Sequence, residues 1–231
     1  DYNFVAWYYG GTGNDLVLLW PTTKLAGWGA AGNGRLAIDQ AGNITVPTDS
    51  DLSGVLAGKT IVQVVRGQSH SLALTSEGKV YSWGNSTNGQ LGINSQFGDF
   101  APVAVFTDTG PTALAGKFVV AVAAANKSSY ALCSDGTIAA WGENASGQLG
   151  NGTSGSDVRV PIAVSTTGVL SGKTVTAIAA GTGHVLALCS DGTVVAWGTG
   201  GAGQLGDNAN SNRNAPVAVN TTSGTSALFG K

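Results

Sequence analysis

The dipeptide Trp-Gly occurs at Trp28-Gly29, Trp83-Gly84, Trp141-Gly142 and Trp197-Gly198, with the tryptophans 55, 58 and 56 residues apart. A Leu-x-Gly-Lys element keeps the same phase, ending at Lys59, Lys117, Lys173 and Lys231, and Pro47, Pro102, Pro161 and Pro216 each follow a tryptophan by 19 or 20 residues. Three landmarks in one register mean that the chain is one unit written four times, approximately 1–59, 60–117, 118–173 and 174–231. A unit of ~57 residues is too small to bury a core alone, so neighbouring units must cover one another. Any binding or catalysis must be sought in an array, because no single unit holds a unique site.

Composition narrows the class. Only 10% of residues are charged, and their place is taken by 36 glycines and many Asn, Ser and Thr residues, which favours turn-dense β structure. The net charge of −2 and the 11 scattered Lys and Arg residues form no basic stripe, so no nucleic-acid partner is expected. The longest apolar runs, such as 119–125, are far shorter than the roughly 18 residues that a membrane span needs. With no methionine and a last residue at a repeat border, the chain is expected to be an excerpt or a processed piece. Cys133 and Cys189 fall at one repeat position in neighbouring units, where a sheet spacing of about 10 Å exceeds disulfide reach, so both are expected to be buried free thiols.

The last unit shows the local pattern best. Apolar runs at 175–180 and 184–189 are followed by the turn Ser190-Asp191-Gly192, a third strand at 193–197, a loop with five glycines in 198–206, and a short fourth strand from Pro216 at a sheet edge. The first-strand runs do not alternate with polar residues, which marks strands covered on both faces. In a chain without helical patterns the cover must be other sheets. Small four-stranded sheets stacked around an axis make a β-propeller, with Trp28, Trp83, Trp141 and Trp197 as packing wedges.

The second unit also carries Gly67-Gln68-Ser69-His70, Glu77-Gly78 to Trp83-Gly84 and the box Gly89-Gln90-Leu91-Gly92; the third matches it through Asp135-Gly136 to Trp141-Gly142 with Gly147-Gln148-Leu149-Gly150, and the fourth through His184 to Trp197-Gly198 with Gly203-Gln204-Leu205-Gly206. This pattern resembles the regulator-of-chromosome-condensation repeat over residues 21–231; the first unit is degenerate, with Gly32-Asn33-Gly34-Arg35-Leu36-Ala37 where the box should be and no His before it. The resemblance implies an all-β propeller-type array of about four blades, three complete, within a larger ring usually of seven. The missing blades are expected beyond Lys231; an open arc and assembly of copies are the alternatives. Residues 1–20 differ, and resemble the closing strands of autotransporter-associated β repeats of bacterial surface proteins; they also align with the inner strands of a worn first blade.

Chemical signals are few. Gly10 to Leu18 fits one copy of the calcium β-roll nonapeptide, making Asp15 a calcium candidate, but no second turn follows to complete a site. Gly201 to Gly206 satisfies G-x-G-x-x-G without the helix a dinucleotide requires. His70 and His184 share one repeat position, which favours a repeated structural hydrogen bond over catalysis. Glu77, Asp135 and Asp191 share one hairpin position and read as turn formers. No enzyme activity, cofactor or metal is expected, and the Asn-x-Ser/Thr sequons at Asn43, Asn85, Asn126, Asn144, Asn151 and Asn220 follow from composition.

Recognition by loops is what remains. The segments 93–101, 151–160 and 207–215 vary among units on a repeated frame, and they hold Phe97, Phe100, Arg159 and Arg213, residue types that anchor interfaces. The expected function is a non-enzymatic, exported or cell-surface bacterial propeller segment that binds a protein or glycan, or spaces modules. The alternative is a secreted enzyme inhibitor, because a bacterial β-lactamase inhibitory protein belongs to the family that the repeats resemble.

Overall fold

The computed structural model describes the backbone of residues 5–8 and 16–19 and, in full, residues 24–38, 42–106, 112–222 and 228. Four sheets of four antiparallel strands follow one another, each in chain order. The first holds β1 (Val5–Tyr8), β2 (Leu16–Leu19), β3 (Leu25–Ala30) and β4 (Asn43–Asp49). The second holds β5 (Ile61–Arg66), β6 (His70–Thr75), β7 (Val80–Gly84) and β8 (Asp99–Ala104). The third holds β9 (Val119–Ala124), β10 (Ser128–Cys133), β11 (Ile138–Gly142) and β12 (Val158–Ala163). The fourth holds β13 (Val175–Ala180), β14 (His184–Cys189), β15 (Val194–Gly198) and β16 (Arg213–Ala218). Each unit is therefore one blade, and β1 and β2 take the inner positions of the first.

The fourth strand starts earlier than the proline suggested. β16 opens at Arg213, and Pro216 lies inside it, as Pro47, Pro102 and Pro161 do in β4, β8 and β12. The last strand of each sheet pairs on one side only, and its register shifts against the third strand, as between Ala196 and Gly198, so a residue without an N–H is tolerated there.

The core lies between sheets. The second strands β6 and β10 are buried along their whole length, whereas the first strands, expected to be covered on both faces, are not: Val62 in β5 and Val120 in β9 are about half exposed, and β13 has three exposed positions. Leu72 and Leu74 pack with Ala131, Ala139 and Trp141 at the joint between the second and third blades. Tyr130 and Leu132 pack with Val185, Ala187 and Trp197 at the next joint, and Leu25 and Ala37 with Ala73 and Trp83 at the first. Trp83, Trp141 and Trp197 are among the largest fully buried side chains, as expected of wedges; Trp28 is half-buried. The first strands β5, β9 and β13 run side by side. This is a four-blade β-propeller segment.

The glycine of each Trp-Gly pair has a backbone reason. Gly29, Gly84, Gly142 and Gly198 sit at φ 101, 105, 103 and 97°, where an L side chain is strained. A Cβ at Gly84 would also lie 2.5 Å from the Ser69 carbonyl oxygen.

Candidate functional site

Two constellations repeat through the described residues: a buried hydrogen-bonded joint between blades, and a solvent-facing rim where each box meets the next blade's outer strand. The joint is built on a backbone carbonyl. The Gln90 oxygen accepts from Trp141 Nε1 at 2.9 Å and from Ser129 Oγ at 2.8 Å. One blade earlier the Arg35 oxygen accepts from Trp83 Nε1 at 3.0 Å and Ser71 Oγ at 2.7 Å; one blade later the Gln148 oxygen accepts from Trp197 Nε1 at 3.0 Å and the Tyr130 hydroxyl at 2.9 Å. The degenerate first box thus keeps its role, because the acceptor is main chain.

His70 extends this joint. It is fully buried, with Nε2 2.9 Å from Ser129 Oγ. The Ser129 proton is committed to Gln90, so the imidazole donates through Nε2 and its Nδ1 is left without a partner. Burial, reinforced by the Arg66 charge, pushes His70 down to about 3. Such a neutral imidazole is a structural donor, not a base. His184, its counterpart in the fourth blade, is half-buried and its imidazole has no hydrogen-bond partner among the described residues, so the expected repeated bond forms once. In the third blade Ser128 stands at that position and, with the Tyr130 proton committed to the Gln148 carbonyl, its hydroxyl donates to the Tyr130 oxygen at 3.1 Å. A glycine three residues earlier goes with each histidine, because a Cβ on Gly67 or Gly181 would overlap the imidazole; where Ser128 replaces histidine, Ala125 replaces glycine.

The hairpin acids do more than form turns. Glu77 pairs with Lys59 at 2.9 Å, Asp135 with Lys117 and Asp191 with Lys173, each lysine being the end of a Leu-x-Gly-Lys element 18 residues upstream. Asp135 and Asp191 also accept from the backbone N–H of Thr137 and Thr193. The Lys117 bond leads the causes that hold Asp135 down at about 2, and Lys173 likewise lowers Asp191. The common 18-residue spacing was the signal that would have revealed these pairs from sequence.

The rim collects most of the candidate binding residues. Phe100, Arg159 and Asn214 occupy the second position of β8, β12 and β16 and lie over the first box glycine of the preceding blade: a Cβ on Gly34, Gly89 or Gly147 would come within 2.7, 2.8 or 2.5 Å of their Cα atoms. The loop before β8 is tied to the third blade by Asn94 N–H donating to the Arg159 carbonyl at 2.9 Å, and the Gln96 amide oxygen meets the Arg159 guanidinium. Phe97 projects from this loop with 84% of its surface exposed, and Phe100 is 57% exposed with its ring edge against Gly34. Phe97, Phe100 and Arg159 therefore share one stretch of rim. Arg213 does not match Arg159; it stands one position earlier, at the first residue of β16, and its Nε donates to the nearly buried Asp207 carboxylate at 2.6 Å.

Among the described residues no three His, Cys, Asp or Glu side chains gather as a metal site, and Asp15 lies outside those residues. Cys133 and Cys189 are buried free thiols, and burial raises both. No helix is long and apolar enough to cross a membrane among the described residues.

Meander sheets stacked through a repeated tryptophan joint, with their variable residues on the rim, define the class as a β-propeller segment. The chain belongs to the regulator of chromosome condensation (RCC1) repeat family: two models of that repeat match residues 61–90 and 175–204, and 77–132 and 135–188. It is 34% identical to the probable E3 ubiquitin-protein ligase HERC6 of Homo sapiens over 205 residues, 87% of this chain and 19% of that protein. It is 32% identical to the ultraviolet-B receptor UVR8 of Arabidopsis thaliana over 198 residues, 85% of this chain and 42% of that one. It thus spans under half the length of these relatives. Among solved structures, human WBSCR16 superposes with a TM-score of 0.75 at 22% identity, covering 91% of this chain and 54% of that one. Prp20p from Saccharomyces cerevisiae superposes with a TM-score of 0.70 at 17% identity, covering 93% and 52%.

Proposed function

We propose that the chain is a non-catalytic, protein-binding segment of a propeller that meets its partner along the rim bearing Phe97, Phe100 and Arg159. The observation that carries this reading is Phe97, which is 84% exposed on a loop that is itself pinned to the next blade by the backbone hydrogen bond from Asn94 to Arg159. A rigidly held aromatic beside a guanidinium offers large apolar area and directed donors at little cost in ordering, which suits a protein surface with an apolar side chain and a carboxylate. Prp20p, of the same fold, has been described binding Gsp1p and histones, which supports a binding role for such a frame. The charge-poor, Asn- and Thr-rich composition supports an exported or cell-surface setting as part of the proposal.

A photo-crosslinking residue placed at Gln96 tests it, with Phe97→Ala and Arg159→Ala as companions. A crosslinked protein that is lost in both substitutions, with the melting midpoint held within about 3 °C, is expected. Absence of any crosslink, or binding to immobilised glycans that depends on Phe97, overturns the protein-binding reading.

A further inference from the structure

The fourth unit carries an ion pair that the second and third lack. Asp207, directly after the last box glycine, stands where the second unit has Ile93 and the third has Asn151. Arg213 opens β16 where Asp99 opens β8 and Val158 opens β12. The Asp207 side chain is only 4% exposed; its Oδ2 accepts from Arg213 Nε at 2.6 Å and its Oδ1 from the Ala209 N–H at 3.2 Å. A carboxylate withdrawn from water is costly unless paired, and the neighbouring blades fold without one, so the frame does not require this pair. Its effect is to fix the guanidinium. With Nε committed, the two Nη groups have no acceptor among the described residues, and Arg213 lines a pocket of about 390 Å³ at the joint between the third and fourth blades.

That pocket is open because a bridge is missing. One joint earlier Asn88, just before the first box glycine, donates through Nδ2 to Asp157 Oδ2 at 2.8 Å, and the stem of Arg159 lies over Gly89. At the later joint Ser146 and Asn212 hold the places of Asn88 and Asp157, and no hydrogen bond joins them; Asn212 Oδ1 accepts instead from the Gly200 N–H at 3.0 Å. The place of Arg159 is taken by Asn214, whose Nδ2 donates to the Gly152 carbonyl at 3.0 Å. The hydroxyls of Ser146 and Ser154 and the amide of Asn212 are thus left around the guanidinium, with Ala145, Ala215 and Val217 as an apolar side. Both walls belong to the chain itself.

The donor set selects a ligand. A guanidinium fork flanked by hydroxyl and amide groups matches the two oxygens of a carboxylate, and the apolar side matches a short methylene stem. A sugar acid suits it less, because no carboxylate lines the pocket to accept from its hydroxyls and no aromatic ring lines it to cover its face, among the described residues. At the small end of the roughly 300–1,000 Å³ of ligand pockets, it holds one side chain rather than a folded surface. We infer that this pocket is a binding site for a glutamate side chain of a peptide, its carboxylate held by the Arg213 Nη groups with Ser146, Ser154 and Asn212 at its edges. The site lies one joint along the rim from Phe97 and Arg159 and does not depend on them.

The test titrates acetyl-Gly-Glu-Gly-amide and its glutamine counterpart into the isotope-labelled 231-residue chain, following the Arg213 Nε–H and the Ser146 and Ser154 amide resonances. The glutamate peptide shifts all three saturably and binds at least about 10-fold more tightly than the glutamine peptide. Ser146→Asn with Asn212→Asp rebuilds the bridge of the earlier joint without touching Arg213 or Asp207; it abolishes the shifts and holds the melting midpoint within about 3 °C. Arg213→Lys keeps a cation beside Asp207 but loses the fork, and weakens binding about 10-fold. Phe97→Ala leaves the peptide shifts intact, so failure here and failure of the protein-binding reading of the Phe97 rim are told apart. The inference is overturned if both peptides bind alike, if neither shifts the resonances at concentrations to about 20 mM, or if the bridged variant still binds. It is equally overturned if glucuronate binds more tightly than the glutamate peptide, which would make a sugar acid the ligand.

Discussion

His70 makes the stability of this chain depend on pH in a window where few other groups titrate. The imidazole is held neutral at about 3, against an ordinary 6.5, because protonation would place a charge on the unpartnered Nδ1, away from water and near Arg66. In the unfolded chain the ring takes up its proton as the pH falls through 6.5, while the folded chain refuses it until about 3. The unfolded state therefore binds more protons across that interval, and stability falls as the pH is lowered, by about 1.4 kcal/mol per pH unit. From pH 6.5 to 5 the loss is about 2 kcal/mol, a large part of the roughly 5–15 kcal/mol that holds a domain together. The measurement is urea unfolding of the wild type and His70→Gln between pH 7.5 and 5, where carboxylates remain ionised. The two curves should converge or cross as pH falls, with the variant losing less stability and keeping only the dependence that His184, itself lowered by burial, contributes. NMR adds a direct readout: the chain has two histidines, so one set of imidazole resonances should titrate and the other stay flat to pH 4. Parallel stability curves, or two titrating histidines in the folded protein, would refute the argument.

Other perturbations address the joint and its neighbours. Gly92→Ala meets both a φ of +70° and Trp141 Nε1 2.7 Å from the new Cβ, and should cost about 3 kcal/mol or more in calorimetry. The reverse change in the degenerate box, Ala37→Gly at φ 52°, relieves strain and should be neutral or stabilise by up to about 1 kcal/mol. Trp141→Phe keeps most of the wedge but leaves the Gln90 carbonyl with Ser129 alone; a loss of about 1–3 kcal/mol by denaturant titration is expected. Lys117→Met removes an exposed ion pair and should change stability by less than about 1 kcal/mol, with the difference vanishing in 1 M salt. Chelator should leave the melting midpoint unmoved, since Asp15 stands in a single copy of its motif; a shift above about 3 °C would establish a metal.

What the sequence discloses is governed by which atoms make each contact. The Trp-Gly period is legible because a buried indole and a glycine near φ 100° are side-chain requirements, and they recur wherever the backbone repeats. The indole's acceptor is not legible, since it is the carbonyl of Arg35, Gln90 or Gln148, and a carbonyl leaves no letter. That same anonymity lets the first unit lose its glutamine and keep its joint. On the rim the contrast is similar: Phe97 stands out as an aromatic among polar residues and is exposed as read, whereas Arg213 is diverted by Asp207, a partner six residues away that sequence pattern alone did not single out. The Lys–acid pairs were visible as an 18-residue spacing but only once lysine and acid were considered together. The repeat thus encodes a joint between blades more than a blade. Each unit carries half of two joints, and in the second and third blades both halves are closed.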